Sequence, residues 1–227
     1  MTIKYLGHSA FQIVIGDKVL LVDPFISDNG LAKGKVNVDE IEADYILLTH
    51  GHEDHVADAE SIGKRTGATI VSNFEIASWY ETKGLKAHPM NHGGSKVFEF
   101  GKLKYVQAVH SSVLPDGTYG GNPGGFVISH DNGILYISGD TALTYDMKLL
   151  PMSGLKPDLC IFPIGDNFTM DYADAARASD FVECNTVIGC HYDTFGYIEI
   201  SKDEAVKHFE ERNKTLLLPK IGETLTF

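Results

Sequence analysis

The sequence predicts an α/β protein built from two β-sheets packed face to face, with helices on the outside. Three observations carry this. Each half of the chain opens with short apolar runs separated by tight-turn residues and closes with strands alternating with helical segments. Four of the apolar runs end in His or Asp, so one edge of the fold receives metal-binding groups from several strands. No boundary, low-complexity tract or repeat of solenoid period divides the 227 residues, which suit one domain, residues 1–227, large enough to bury a substantial core.

The opening reads as a β-meander. Ile3 to Leu6, Phe11 to Ile15 and Val19 to Val22 are the strands, punctuated by Gly7-His8-Ser9 and Gly16-Asp17-Lys18. Asp23-Pro24 ends the third strand, and Ser27 to Glu40, with its Gly and Asn breakers, is a surface loop. Tyr45 to Leu48 is a buried strand. From Asp54 to Arg65 the spacing predicts a helix, with Val56, Ala59 and Ile62 three apart and Gly67 as the stop. Thr69 to Val71 is a strand. Asn73 then caps a helix through Ile76 and Tyr80 to Lys83, with Gly84 just past its end.

The second half begins with hairpins. Lys96 to Phe100 and Lys102 to Val109 flank Gly101, and Gly125 to Ser129 and Ile134 to Ile137 flank Asp131-Asn132-Gly133. Ser111 to Gly124 is a functional loop, because it follows His110 directly. Ala142 to Leu150 is a short helix stopped by Pro151. Leu159 to Phe162 is a strand, Asp171 to Glu183 a helix and Thr186 to Cys190 a strand. Ser201-Lys202-Asp203-Glu204 forms a capping box for a helix through Val206 and Phe209, and Leu216 to Leu218 is the final strand.

Composition narrows the function classes. A formal charge of −12 speaks against broad nucleic-acid binding, which needs clustered Lys and Arg. No apolar run approaches the roughly 20 residues of a membrane span. Met1 to Leu6 has no basic segment leading into a sustained apolar stretch, so no signal peptide is expected and a cytoplasmic enzyme is the default. Cys160, Cys184 and Cys190 are too scattered for a disulfide framework or a Cys-x-x-Cys zinc site and read as buried free thiols.

The chemistry concentrates in Thr49-His50-Gly51-His52-Glu53-Asp54-His55. Ordinary packing does not ask for three imidazoles and a carboxylate within six residues. On extended backbone His50 and His52 point to the same side. Asp54 and His55 follow the turn into a helix and can face a second ion. His110, Asp140 and His191 each follow an apolar strand, and strand ends are stiff platforms for coordination geometry. His8, in a turn, either lines the site mouth or is structural. His92, beside Gly93-Gly94, is a candidate to reach the pocket.

His50-x-His52-x-Asp54-His55, followed in order by His110, Asp140 and His191, resembles the metallo-β-lactamase superfamily, which implies a four-layer αββα sandwich. Leu6-Gly7-His8-Ser9-Ala10-Phe11, Asn91-His92-Gly93-Gly94, Gly121-Asn122-Pro123-Gly124-Gly125-Phe126 and Pro163-Ile164-Gly165 further resemble the UPF0173 metal-dependent hydrolases, relatives of the ascorbate-6-phosphate lactonases. The resemblance implies His50, His52 and His110 on a first metal and Asp54, His55 and His191 on a second, with Asp140 bridging. It also likens Asp23 to an Asp that supports a ligand His, the alternative being a plain turn carboxylate.

Nitrogen and carboxylate ligation without thiolate suits Zn²⁺ and admits Mn²⁺, Fe²⁺ or Ni²⁺. The expected function is hydrolysis of a small ester, lactone or related acyl substrate by hydroxide held on two metals, with Asp54 and Asp140 as the catalytic carboxylates. His52, where a Glu would point to di-iron oxygen chemistry, favours hydrolysis. A phosphodiesterase or nuclease on the same metals, and a metal-dependent sensor without turnover, are the alternatives. A homo-oligomer is expected from the family alone. Asp166-Asn167 departs from the family pattern, in which a small residue is expected. If it lines the pocket, its carboxylate disfavours anionic substrates.

Overall fold

In the computed structural model, which describes residues 1–227, the chain forms two seven-stranded sheets. The first holds β1 (Thr2–Gly7), β2 (Ala10–Ile15), β3 (Lys18–Val22), β4 (Tyr45–Leu47), β5 (Thr69–Asn73) and β6 (Ala87–Met90) side by side in chain order. The second holds β7 (Ser95–Phe98), β8 (Gly101–Gln107), β9 (Gly124–His130), β10 (Gly133–Ile137), β11 (Leu159–Pro163), β12 (Thr186–Cys190) and β13 (Thr215–Leu217) in the same way. The last strand, β14 (Thr224–Thr226), returns to the first sheet and pairs antiparallel with β1. Each sheet is antiparallel over its early strands and parallel over its late ones, the switch falling at β3 in one and β10 in the other.

Alternation along the strands builds the four layers. Val22 and Leu47 point inward and pack with Leu103, Phe126, Ile137 and Ile188 of the facing sheet. Leu21, Ile46 and Leu48 point outward onto α1 (Glu53–Val56), α2 (Ala59–Thr66) and α3 (Phe74–Thr82), meeting Val56, Ile62, Ile76 and Tyr80. On the other side Val127, Tyr136, Phe162 and Val187 meet residues of α4 (Leu149–Met152), α5 (Tyr172–Phe181) and α6 (Lys202–Glu210), among them Leu150, Ala175, Ala178 and Phe209. The predicted sandwich is therefore present, as αββα.

Four details differ from expectation. The helix predicted over Asp54 to Arg65 is two helices. The Asp58 N–H leaves the helical ladder and donates to the Pro24 carbonyl at 3.0 Å. The Asp58 carboxylate in turn accepts from Ile26 N–H (2.7 Å) and Ser27 N–H (2.9 Å). Pro151 lies inside α4 rather than stopping it, in a first turn where the missing N–H has no helical partner to lose. A 3₁₀ turn, Tyr145–Lys148, leads into that helix. Two edge strands, β6 and β14, were not predicted, so Leu216 does not lie in the last strand. The cap at Asn73 is as expected, its side chain accepting from Ile76 N–H, and the three cysteines are buried free thiols.

Candidate metal centre

The residues singled out along the chain meet at one edge of the sandwich. His50 and His52 follow β4, Asp54 and His55 lie in α1, and His110, Asp140 and His191 follow β8, β10 and β12. These strands run the same way within their sheets, so their C-terminal ends converge. Gly139 lets Asp140 approach closely. Its φ is +63°, and a Cβ there would stand 2.6 Å from the Gly124 carbonyl oxygen and 2.8 Å from Thr49 Cβ. His8, Asp23 and His191 adopt left-handed φ of 54°, 42° and 54°, a strained state for residues with a Cβ.

Three overlapping groups of donors form. His50, His52 and His110 make one, Asp54, His55 and His191, joined by His8, a second, and His50, His55 and Asp140 a third that links them; ligand atoms within each lie within 4.8 Å of one another. His50 Nε2 and His52 Nδ1 are 3.0 Å apart. Two donors at about 2.05 Å from one tetrahedral ion stand about 3.3 Å apart, so this spacing fits a shared ion. Asp140 Oδ2 lies between the groups, 3.7 Å from His110 Nε2, 3.3 Å from His55 Nε2 and 2.9 Å from His191 Nε2.

The outer partners fix which nitrogen faces inward. Asp23 is buried; its Oδ1 accepts from Thr49 N–H (2.8 Å), and its Oδ2 accepts from the Thr49 hydroxyl (2.7 Å) and His55 Nδ1 (2.8 Å). Thr49 Oγ1 sits 3.0 Å from His50 Nδ1, so the Asp23 carboxylate orients His55 directly and His50 through Thr49. His52 Nε2 meets Ser111 Oγ at 3.3 Å, and Ser112 Oγ accepts from Gly51 N–H, so the loop after His110 does support the site. With Nδ1 held by Asp23, His55 Nε2 is buried without a hydrogen-bond partner: its 3.3 Å approach to Asp140 lacks hydrogen-bond alignment. A cation between the groups would supply what that nitrogen lacks.

Electrostatics point the same way. Burial, reinforced by the neighbouring His55 charge, holds His50 well below its ordinary range, in the neutral form a ligand needs. Burial also opposes charge on His191, but Asp140 and Asp54 outweigh it and raise the imidazole to about 9. Burial opposes charge on His55 too, and there Asp140 and Asp23 prevail, lifting it well above its usual value. Without a cation, protons on His55 and His191 balance the carboxylates.

His8 does not line the mouth. It is buried beneath the cluster, Nε2 at 3.1 Å from Asp54 Oδ2 and Nδ1 at 2.9 Å from Thr194 Oγ1. Its ring is held near neutrality by burial, with its pKa lowered to about 4, and serves as a donor to Asp54. His92 does not reach the cluster. Its ring stacks on Tyr105, with centroids 5.1 Å apart, and its Nε2 meets the Pro123 carbonyl at 2.9 Å. The cleft over the cluster, about 380 Å³, is lined by His52, Asp54, His110, Asp140 and His191 together with Glu53, Ser111, Phe168 and Phe195. The two phenylalanines escape sequence reasoning, because loop geometry alone brings them there.

Comparison with known proteins agrees with this architecture. Residues 2–191 match the model of the beta-lactamase superfamily domain. A UPF0173 metal-dependent hydrolase of Christiangramia forsetii is 60% identical over 225 residues, 99% of each chain, and one of Flavobacterium johnsoniae is 57% identical over the same span. The solved structure of Igni18, described as a novel metallo hydrolase from Ignicoccus hospitalis, superposes with a TM-score of 0.90 at 31% identity, covering 100% of this chain and 97% of that one. The chain belongs to the beta-lactamase superfamily and, within it, to the UPF0173 metal-dependent hydrolase family.

Proposed function

We propose that the chain is a single-domain hydrolase that binds two divalent cations, Zn²⁺ first among them, and cleaves a small ester, lactone or related acyl compound. The position of Asp140 Oδ2 between the first two donor groups carries this reading. His50, His52 and His110 would hold one ion and Asp54, His55 and His191 the other, with Asp140 placed between the two sets. Bound there, the ions supply a water ionised near neutral pH and a Lewis acid for the carbonyl oxygen.

The chain's own groups do the rest. Asp54 Oδ2 is fixed by His8, while its side chain remains 26% exposed towards the cleft. Its other oxygen orients the attacking water, takes a proton from it and returns that proton to the departing alcohol oxygen as the acyl C–O bond breaks. Asp23 keeps His50 and His55 in the tautomers that present Nε2. The cleft lining has no Lys or Arg, so a phosphoryl group would depend on the ions alone.

The test is hydrolysis of simple esters, lactones and bis-p-nitrophenyl phosphate by protein of measured metal content. Asp140→Ala and His110→Ala, folded by circular dichroism, abolish acyl hydrolysis. Full activity in protein shown by elemental analysis to be metal-free overturns the proposal, as does tight binding of an acyl compound without turnover.

A further inference from the structure

Asp166 and Asn167 are absent from the lining of the metal cleft; Asp166 instead borders a neighbouring cavity with Asp171 and Glu199. What the pair contributes is backbone geometry. Both residues take left-handed φ values, 63° and 56°, and two such residues in succession, neither of them glycine, persist only where the surroundings enforce them. The turn is closed by the Gly165–Asp171 bridge and fastened by Met170 N–H to the carbonyl of Thr141, the residue after Asp140. At its tip stands Phe168, whose ring lines the metal cleft and is 50% exposed. Tyr197 meets that ring edge-on at 6.3 Å.

Phe195 is the second aromatic wall of the cleft, 39% exposed. It is braced from behind by His8 at 5.4 Å and Phe25 at 6.3 Å between centroids. Single exposed aromatics are ordinary on a protein surface. Two of them, one on a strained turn and one on a braced platform, both lining a cleft otherwise made of His, Asp, Glu and Ser, are not scattered. Glu53 is the only ionisable side chain of the lining outside the ligand set, and no cation balances it.

Resting on the acyl-hydrolase reading above, we propose that this cleft selects substrates bearing an aryl or similarly flat apolar group, seated on Phe168 and Phe195. The ring faces gain contact and lose water when covered by a flat apolar group.

The experiment compares methyl phenylacetate, methyl acetate and methyl phosphonoacetate on metal-loaded protein. The phenyl ester is expected to have the highest kcat/KM, about tenfold above the acetate. Phe168→Ala and Phe195→Ala each reduce that ratio about threefold, chiefly through KM, and Phe168→Tyr keeps it. Esters that are hydrolysed with a ratio indifferent to both alanine variants, or with the phosphonate preferred, overturn this proposal and leave the hydrolase reading standing. If no ester is hydrolysed, the hydrolase reading fails instead, and calorimetric titration with phenylacetone, which cannot be hydrolysed, decides this one. Binding weakened in both alanine variants upholds it; equal binding in all forms, or none, overturns it.

Discussion

Asp23→Asn changes one oxygen of a buried carboxylate to NH₂ and should disturb both metal positions at once. In the wild type every hydrogen bond of the Asp23 carboxylate is a donation to it: from Thr49 N–H, from the Thr49 hydroxyl and from His55 Nδ1. An amide oxygen can keep the bond to Thr49 N–H, but the NH₂ then faces Thr49 Oγ1 and His55 Nδ1. His55 Nδ1 must become an acceptor, which moves its proton to the metal-facing Nε2. The Thr49 hydroxyl, now accepting from the amide, turns its own hydrogen towards His50 Nδ1, and His50 too carries its proton on Nε2. Each ion position thus loses one well-presented ligand. Loss of such an outer partner costs about 10–100-fold in affinity, or ~1.4–2.7 kcal/mol, at each position. The substitution opens no cavity, but it removes one partner of the buried pair with His55 and should cost metal-free protein about 3–5 kcal/mol. The Tm of metal-free protein should fall by about 6–20 °C, so the affinities are read below the transition. Competition of the metal-free protein against a chromophoric chelator measures the affinities. Wild-type affinity at both positions in a folded Asp23→Asn protein would refute the tautomer argument.

His8→Ala removes the donor to Asp54 Oδ2 and should lower occupancy of the second ion position by about 10–100-fold, with His8→Gln, which can still donate, intermediate; elemental analysis after dialysis measures it. Asp58→Ala strands the Ile26 and Ser27 N–H groups, of which Ile26 is buried, and should cost about 2–3 kcal/mol, a fall in Tm of about 4–12 °C, with metal content unchanged; a calorimetric scan showing no change in Tm rejects the role given to Asp58. Metal uptake should release protons. His191, raised to about 9, is charged at pH 7 in metal-free protein and must be neutral to bind, so affinity climbs with pH up to about 9. Titration heats independent of the ionisation enthalpy of the buffer would contradict this.

What the sequence made legible was whatever depends on neighbours along the chain. His50, His52, Asp54 and His55 lie within six residues of the chain, and His110, Asp140 and His191 stand just past apolar runs that are strands. The sandwich followed from the order of strands and helices in each half. The misses share a cause in tertiary contact. The periodicity of residues 54–65 is helical throughout, but the bond from Asp58 N–H to the Pro24 carbonyl, more than thirty residues away, breaks the ladder. β6 reads Ala-His-Pro-Met and β14 has only three residues; both are edge strands, with pairing on one side to hold them. The role of His8 depends on Asp54 and Thr194, and that of Phe168 on two left-handed residues, so neither leaves a periodic trace.

Three left-handed residues, His8, Asp23 and His191, sit at the edge where the strands deliver their ligands. His8, Asp23 and His191 together carry about 3–9 kcal/mol of left-handed strain, a large fraction of the 5–15 kcal/mol by which a domain is usually stable. The same edge buries Asp23, Asp140, His50 and His55 away from water. Such a cluster survives because the apolar layer between the sheets lies directly beneath it: Val22 and Leu47 precede Asp23 and the His50 motif, Ile137 precedes Asp140, and Ile188 and Cys190 precede His191. Each strand therefore anchors its ligand within a few residues of a fully packed side chain, which fixes its direction without help from the ion. The fold supplies rigidity and the strand ends absorb the cost, so the donors are already convergent before a cation arrives. On the two-metal reading proposed above, that preorganisation accounts for the unpartnered His55 Nε2 in the interior, the atom a cation would meet.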